Sequence, residues 1–209
     1  MTDEILEILK KVGALFLNDH FVGVSGRHLE GYVNKDALFP HTQETCRIGE
    51  IFAETFKDYD IDTVAAPAMG GIILSQWVAY HLSKLKNKEV LSAYAEKVDG
   101  ELKLTRGYDT CVKDKKVLAI EDLTTTGGSL KKVIDVVQAT GGEIVAASVM
   151  LNKDPKLVTT KTFGVPFIAL AETHIRSFDA AECHLCKNNV PINTTLGHGK
   201  KYLEAKNKS

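Results

Sequence analysis

Residues 120–130, IEDLTTTGGSL, decide the fold. The run leading into them, KVLAIEDL (Lys116 to Leu123), is short, apolar and rich in branched residues, which is strand character. It closes on the acidic pair Glu121–Asp122. A TTTGGS turn follows, and then Leu130, Val133, Ile134 and Val137 recur at helical spacing up to Gly141–Gly142. A hydroxyl- and glycine-rich turn that opens a helix suits an anion. The first backbone N–H groups of the helix converge on a phosphate, the helix dipole favours its charge, and Gly127 and Gly128 let the main chain come close. Thr125, Thr126 and Ser129 add hydroxyl donors. Glu121 and Asp122 would repel a bare triphosphate but can accept hydrogen bonds from sugar hydroxyls, so the segment selects a ribose phosphate. Ser129 and Leu130 stand where a Walker loop needs Lys and Ser or Thr, and no G-x-G-x-x-G occurs, which excludes the ATPase and dinucleotide readings.

The same strand–turn–helix pattern occurs upstream. TVAAPA (Thr63 to Ala68) is closed by Gly70–Gly71, and Ile72 to Leu85 reads as a helix; EIVAASVML (Glu143 to Leu151) supplies a further strand. Alternating strands and helices predict an α/β fold with a central, mostly parallel sheet flanked by helices, and ligands beyond the carboxyl ends of its strands. Near the start, Ile5, Leu6, Ile8, Leu9, Val12, Leu15 and Phe16 predict one amphipathic helix. After Phe39–Pro40, Thr42 is the expected N-cap of a second, carrying Ile48, Ile51, Phe52 and Phe56. A single domain over 1–209 is expected, with a hood over residues 1–40, an α/β core over 60–175 and a tail over 178–209.

With 209 residues, 44% apolar and 25% charged, the chain fits one sizeable core. A formal net charge of −1 offers no basic field for nucleic acid. No apolar run reaches the length of a membrane span, and Asp3 and Glu4 stand where a signal peptide carries basic residues, so a cytoplasmic protein without membrane partners is expected. Four unevenly spaced cysteines indicate a reducing compartment.

IEDLTTTGGS matches without a gap the signature of the type I phosphoribosyltransferases, and the chain resembles that family. VSGRHLEGYV, APAMGGIILS, the loop AYAEKVDGELKLTRGY, FGVPF and the ECHLCKNNVP tail are similar, in that order, to its orotate branch. The resemblance implies the type I fold with a small N-terminal hood. It also implies displacement of pyrophosphate from phosphoribosyl pyrophosphate by orotate, with magnesium carried mainly by the substrate. By motif, Thr125, Thr126, Gly127, Gly128 and Ser129 hold the 5-phosphate, Glu121 and Asp122 hold the ribose hydroxyls, and Leu123 and Thr124 between them belong to the same donor-binding segment. Arg27 and the turn Ala68 to Gly71 lie near pyrophosphate, and Thr125 and Tyr32 lie near the base. The polar segment Glu96 to Gly107 presents Lys97, Lys103 and Arg106 as a mobile cationic lid, with Lys103 the residue expected to neutralise pyrophosphate. In the family this loop enters a neighbouring subunit's site, which implies a homodimer.

Two positions depart from the family pattern. Many orotate enzymes have Asp–Arg where this chain has Asn152–Lys153; lysine keeps the charge but loses the fork that grips a carboxylate. Val24 stands where some members carry lysine. Both leave transfer to another nucleobase open. A regulator that binds the donor without turnover is a further alternative, disfavoured by the lack of a helix-turn-helix appendage and of basic excess and by the intact lid lysines. Cys183 and Cys186 have the spacing of a metal knuckle but supply two of the four ligands that a structural zinc needs, so the sequence favours a packed tail. His20, His28, His41, His81 and His174 are read as structural or surface residues.

Overall fold

The structure is a computed structural model that describes residues 2–206; the last three residues of the tail lie outside them. Helix α1 (Thr2–Lys11) carries Asp3 and Glu4 in its first turn and Lys10 and Lys11 in its last, both favourable to its dipole. It ends earlier than its apolar spacing predicts. Gly13 takes φ +67°, the Gly13 N–H donates to Lys10 O (3.0 Å) and the Ala14 N–H to Leu9 O (2.7 Å), a Schellman closure that turns the chain. Leu15 and Phe16 therefore belong not to the helix but to strand β1 (Leu15–Val22), antiparallel to β2 (His28–Val33). A short 3-10 turn, Lys35–Ala37, leads to α2 (Thr42–Thr55). Thr42 lies inside that helix; His41 is the cap and makes no side-chain capping bond, while Thr45 Oγ1 donates to His41 O at 2.9 Å.

The core then alternates β3 (Thr63–Pro67), α3 (Gly70–Lys86), β4 (Leu91–Val98), β5 (Glu101–Lys103), α4 (Tyr108–Val112), β6 (Lys116–Thr124), α5 (Gly128–Ala139), β7 (Glu143–Asn152), α6 (Thr160–Phe163) and β8 (Phe167–Glu172). Strands run in the order β5-β4-β3-β6-β7-β8, all pairs parallel except the β4–β5 hairpin. Strand residues alternate between two cores. Val64, Ala66, Leu118 and Ile120 face α2 and α3, whereas Ala65, Val117 and Ala119 face Leu130, Val133, Ile134 and Val137 of α5. Ile5 and Leu9 join the first core, so α1 is rooted in the main body. The tail adds β9 (Ser177–Phe178) to β2, making a three-stranded hood sheet, and ends in α7 (His184–Lys187) and α8 (Gly199–Lys206). Among the described residues no helix is long and apolar enough to cross a membrane.

Helices α2 and α3 touch through Gly49: a Cβ there would lie 2.5 Å from Trp77 Cβ and 3.1 Å from its carbonyl carbon. Backbone cannot yield to it as a flexible side chain would. Gly49→Val is expected to cost about 1–3 kcal/mol by overpacking, read as a fall in the chemical-denaturation midpoint; an unchanged midpoint would show that the helices are not pressed together here.

Candidate active site

The carboxyl ends of β3, β6 and β7 come together beneath the hood, where open parallel sheets place ligands. At the end of β3 the Ala68–Met69 peptide is cis and α3 opens at Gly70. A Cβ on Gly70 would lie 2.0 Å from Asp122 Oδ2, so only glycine lets that carboxyl group rest against the turn. At the end of β6, Glu121 and Asp122 are buried. Glu121 Oε1 accepts the Asp122 N–H (3.0 Å) and Asp122 Oδ1 the Leu123 N–H (2.6 Å). Burial, reinforced by the neighbouring Asp122 charge, pushes the Glu121 carboxyl up to about 8.

Residues 123–130 curl around a cavity of about 220 Å³ lined by that loop alone. Thr124 Oγ1 accepts the Gly127 N–H at 2.9 Å and so fixes the bend, with Gly127 at φ +80°. A Cβ on Gly127 would press on Thr162 (2.9 Å) and Phe163 (3.1 Å). Thr125, Thr126, Gly128 and Ser129 are exposed. The first-turn amides of α5 have no carbonyl partner within the helix and carry its positive end.

A second cavity, about 420 Å³, lies between hood and core and brings together Arg27, Tyr32, Thr125 and Lys153, with Val24 and His174 also on its wall. Tyr32 is held by Phe21, ring centroids 5.4 Å apart. The Arg27 guanidinium donates to Ser177 Oγ and O (3.1 Å each) and pairs with Asp179 at 2.7 Å. Lys153 is half-buried; desolvation lowers its ammonium pKa, against the pull of the Asp122 charge. Its N–H donates to Thr124 O (2.9 Å), which ties the end of β7 to the loop of residues 123–130. Asn152 is buried and shapes the turn, its amide donating to Val158 O at 3.0 Å and its oxygen accepting the Asp154 N–H at 3.1 Å.

Lys97, Lys103 and Arg106 line neither cavity. They ride on the β4–β5 hairpin, whose turn residues Asp99 (φ +52°) and Gly100 (φ +88°) have the left-handed backbone of a tight hairpin. Its tip lies beside Lys132 and Val136 of α5. Arg106 pairs with Glu96 at 3.0 Å, and Thr105 also donates to that carboxylate; these two bonds, Thr105's first, hold the Glu96 pKa down.

Comparison with known proteins agrees with this geometry. The phosphoribosyl transferase domain family matches residues 34–163. Orotate phosphoribosyltransferase of Thermotoga maritima is 38% identical over 198 residues, covering 94% of this chain and 100% of the relative. That of Caldanaerobacter subterraneus subsp. tengcongensis is 34% identical over 190 residues, 91% and 94%. The chain belongs to the orotate phosphoribosyltransferase family. Solved structures share the fold. Mycobacterium tuberculosis orotate phosphoribosyltransferase in complex with Fe(III) dicitrate superposes with a TM-score of 0.65 at 19% identity, covering 81% of this chain and 96% of that one. The same organism's enzyme in complex with 5-phospho-alpha-D-ribosyl 1-diphosphate gives 0.59 at 16%, covering 82% and 90%.

Sequence reasoning missed the Lys35–Asp122 contact. The Lys35 ammonium lies 2.6 Å from Asp122 Oδ2, and the attraction of Asp122, Glu121 and Asp36 raises its pKa although burial opposes this. A single lysine in the polar stretch 34–36 gives no local sign of a partner 87 positions away. His174, read as structural, lies on the cavity wall.

The Glu121 shift has a consequence for stability. Its folded pKa of about 8 lies above the unfolded value, so between roughly pH 4.5 and 8 the folded state keeps a proton that the unfolded state has lost. Stability from this group is complete below that window and falls as pH rises through it. Glu121→Gln, which cannot ionise, should gain on wild type by more than about 1 kcal/mol between about pH 5 and 8 in urea titrations. Parallel pH profiles would show that Glu121 ionises normally.

Proposed function

We propose that the chain transfers the ribose 5-phosphate of phosphoribosyl pyrophosphate to orotate, giving orotidine 5′-monophosphate and pyrophosphate for UMP biosynthesis. The supporting observation is that Thr125 lines both cavities. A ligand with its phosphate in the loop of residues 123–130 therefore has its anomeric carbon directed toward the space walled by Arg27, Tyr32 and Lys153. The base nitrogen forms its bond to that carbon as the bond to the pyrophosphate oxygen breaks; the electron pair leaves with pyrophosphate, and the nitrogen's proton passes to the departing pyrophosphate or to solvent.

In this reading Thr125, Thr126, Gly128 and Ser129 donate to the 5-phosphate, with Leu123, Thr124 and Gly127 shaping the loop, and Glu121 and Asp122 bind the ribose hydroxyls. Arg27 exchanges its Asp179 and Ser177 partners for pyrophosphate oxygens. Tyr32 packs on the base, and the Lys153 ammonium meets the orotate carboxylate. The donor set fits a substrate-borne magnesium. Asp122 already shares an oxygen with Lys35, which leaves too few free carboxylate oxygens for a cage of the protein's own. Glu121 and Asp122 are the residues that would stand nearest such an ion, which when bound would neutralise the departing charge.

The lid acts in trans within a homodimer. Lys97 and Lys103 are exposed, without an ion-pair partner among the described residues, and stand clear of their own chain's cavities. Along α3, Met69 (80% exposed), Ile73, Trp77 and Tyr80 follow one helix face, an apolar stripe suited to a second copy. The four unpaired cysteines support a cytoplasmic setting.

An absorbance assay with orotate, phosphoribosyl pyrophosphate and magnesium tests the reaction; orotate left intact while another base is consumed, or donor bound with no pyrophosphate released, overturns it. Lys103→Ala is expected to lower kcat by ~100-fold, as for loss of one donor to a developing anion. A kcat within twofold of wild type would make this lysine idle. Mixing Lys103→Ala chains with Asp122→Asn chains should restore turnover that neither variant has alone, since a hybrid dimer contains one intact site. Lys153→Met should raise KM for orotate by roughly 10–100-fold, the cost of a charge-assisted hydrogen bond, while sparing KM for the ribose donor; equal effects on both substrates would remove Lys153 from the base pocket.

A further inference from the structure

Beneath the hood, on the side of the tail, four side chains converge. His20 and His28 stand on the two strands of the hood hairpin, and Cys183 and Cys186 enter from the start of α7; one ligand atom from each lies within 4.8 Å of all the others. The atoms are His20 Nε2, His28 Nδ1 and the two sulfurs. His20 Nε2 is 2.7 Å from His28 Nδ1, 3.6 Å from Cys183 Sγ and 3.9 Å from Cys186 Sγ, and Cys186 Sγ is 3.4 Å from His28 Nδ1. Zinc bonds of about 2.0–2.1 Å to nitrogen and about 2.3 Å to sulfur make a tetrahedron with edges of roughly 3.3–3.8 Å; the three nitrogen–sulfur separations match these edges, and the two nitrogens stand closer together than an ion between them requires. The two ligands that Cys183-x-x-Cys186 lacks in the sequence thus come from the hood.

The surroundings favour a cation over a hydrogen-bonded core. His20, His28 and Cys183 are fully buried. His20 Nδ1 lies 2.8 Å from the carbonyl of Val190, which can only accept, so that nitrogen carries the proton and Nε2 points a bare lone pair into the cluster. A backbone carbonyl in this position is the usual outer partner of a metal-bound histidine. If His28 donated from Nδ1 to His20, its buried Nε2 would be an acceptor, and that atom has no hydrogen-bond partner. With a metal on Nδ1, the proton sits on Nε2, and the His28 and Tyr202 rings stand perpendicular with centroids 4.9 Å apart. Two thiolates and two imidazoles in a closed tetrahedron select zinc among the common divalent ions.

We infer that His20, His28, Cys183 and Cys186 bind one structural zinc ion that staples the C-terminal tail to the hood. The ligand pair His20 and His28 brackets the loop 23–27, which carries Arg27 and forms part of the larger cavity's wall. Backbone bonds from Asn193 to His20 O (2.7 Å) and from His198 to Val22 O (2.8 Å) continue the seam on either side. The ion holds that wall in place and has no part in the transfer chemistry, whichever base is used.

The test is metal analysis of the full chain purified without chelator, with about one zinc per chain expected and almost none in the Cys183→Ser/Cys186→Ser double variant. Stripping wild type with a chelator should lower Tm by at least about 5 °C, reversibly on adding zinc. Should the double variant fail to fold, cobalt added to the stripped wild type still decides. Tetrahedral d–d bands with thiolate charge transfer are expected, and an octahedral spectrum without them overturns the site. Wild type as free of zinc as the variant, or a Cys183–Cys186 disulfide found by thiol titration and mass spectrometry, also overturns it. Orotate turnover measured on the same samples is a separate readout: zinc without turnover sinks the proposed reaction alone, and turnover in wild type purified free of zinc sinks the metal site alone.

Discussion

Two carboxyl groups buried side by side at the end of a parallel strand must find a counter-charge or give up their own, because an unpaired charge in that setting costs several kcal/mol. The chain does both. Asp122 takes the Lys35 ammonium at 2.6 Å, and Glu121 holds its proton up to about pH 8. The arrangement also requires Gly70, since any side chain there would occupy the place of Asp122 Oδ2. One acidic pair thereby couples three distant segments: the 3-10 turn after the hood, the opening of α3 and the last residues of β6. The last residues of β6 run directly into the loop that lines the smaller cavity, so the same burial that strains the electrostatics also anchors that loop.

Much of this was legible in the sequence because its determinants are local. Strand, acids, turn and helix follow one another within 116–137, and each feature supports the next without help from elsewhere in the chain. The alternation of β3, α3, β6, α5 and β7 followed from apolar runs closed by glycine pairs. The failures are equally physical. Leu15 and Phe16 continue the helical spacing of α1, and only the left-handed turn at Gly13 shows that the chain has changed direction. Lys35 and the two histidines of the hood acquire their partners 87 to 166 positions away, where no window of sequence connects them. A histidine facing another strand's histidine looks the same in sequence as one facing solvent.

The Asn152–Lys153 pair shows how a departure from a family pattern can be read once the fold is known. Asn152 is spent on the backbone, bridging Val158 and Asp154, so the turn keeps its shape without an acid. Lys153 reaches the cavity half-buried, with its ammonium partly desolvated and the Asp122 charge nearby. A point charge on a flexible stem recognises a carboxylate less selectively than a guanidinium fork does. In the proposed reaction, selectivity for the base then rests more on the shape of the hood, on Tyr32 and on the loop 23–27, than it would with arginine at this position.

That places a demand on the hood which its own sheet cannot meet. Strands of eight, six and two residues bury little, and small sheets of this kind are marginal by themselves. The hood is held instead by what surrounds it: α1 rooted in the main core, Lys35 joined to Asp122, Arg27 reaching Ser177 and Asp179, and the tail bonded to His20 and Val22. Of these, the exposed ion pair of Arg27 contributes least, because solvent screens it. A zinc ion joining His20 and His28 to Cys183 and Cys186 fixes both ends of the cavity-lining loop at once, from a position buried away from the substrate. In the proposed reaction that wall is then rigid while Arg27 exchanges its partners for those of the ligand.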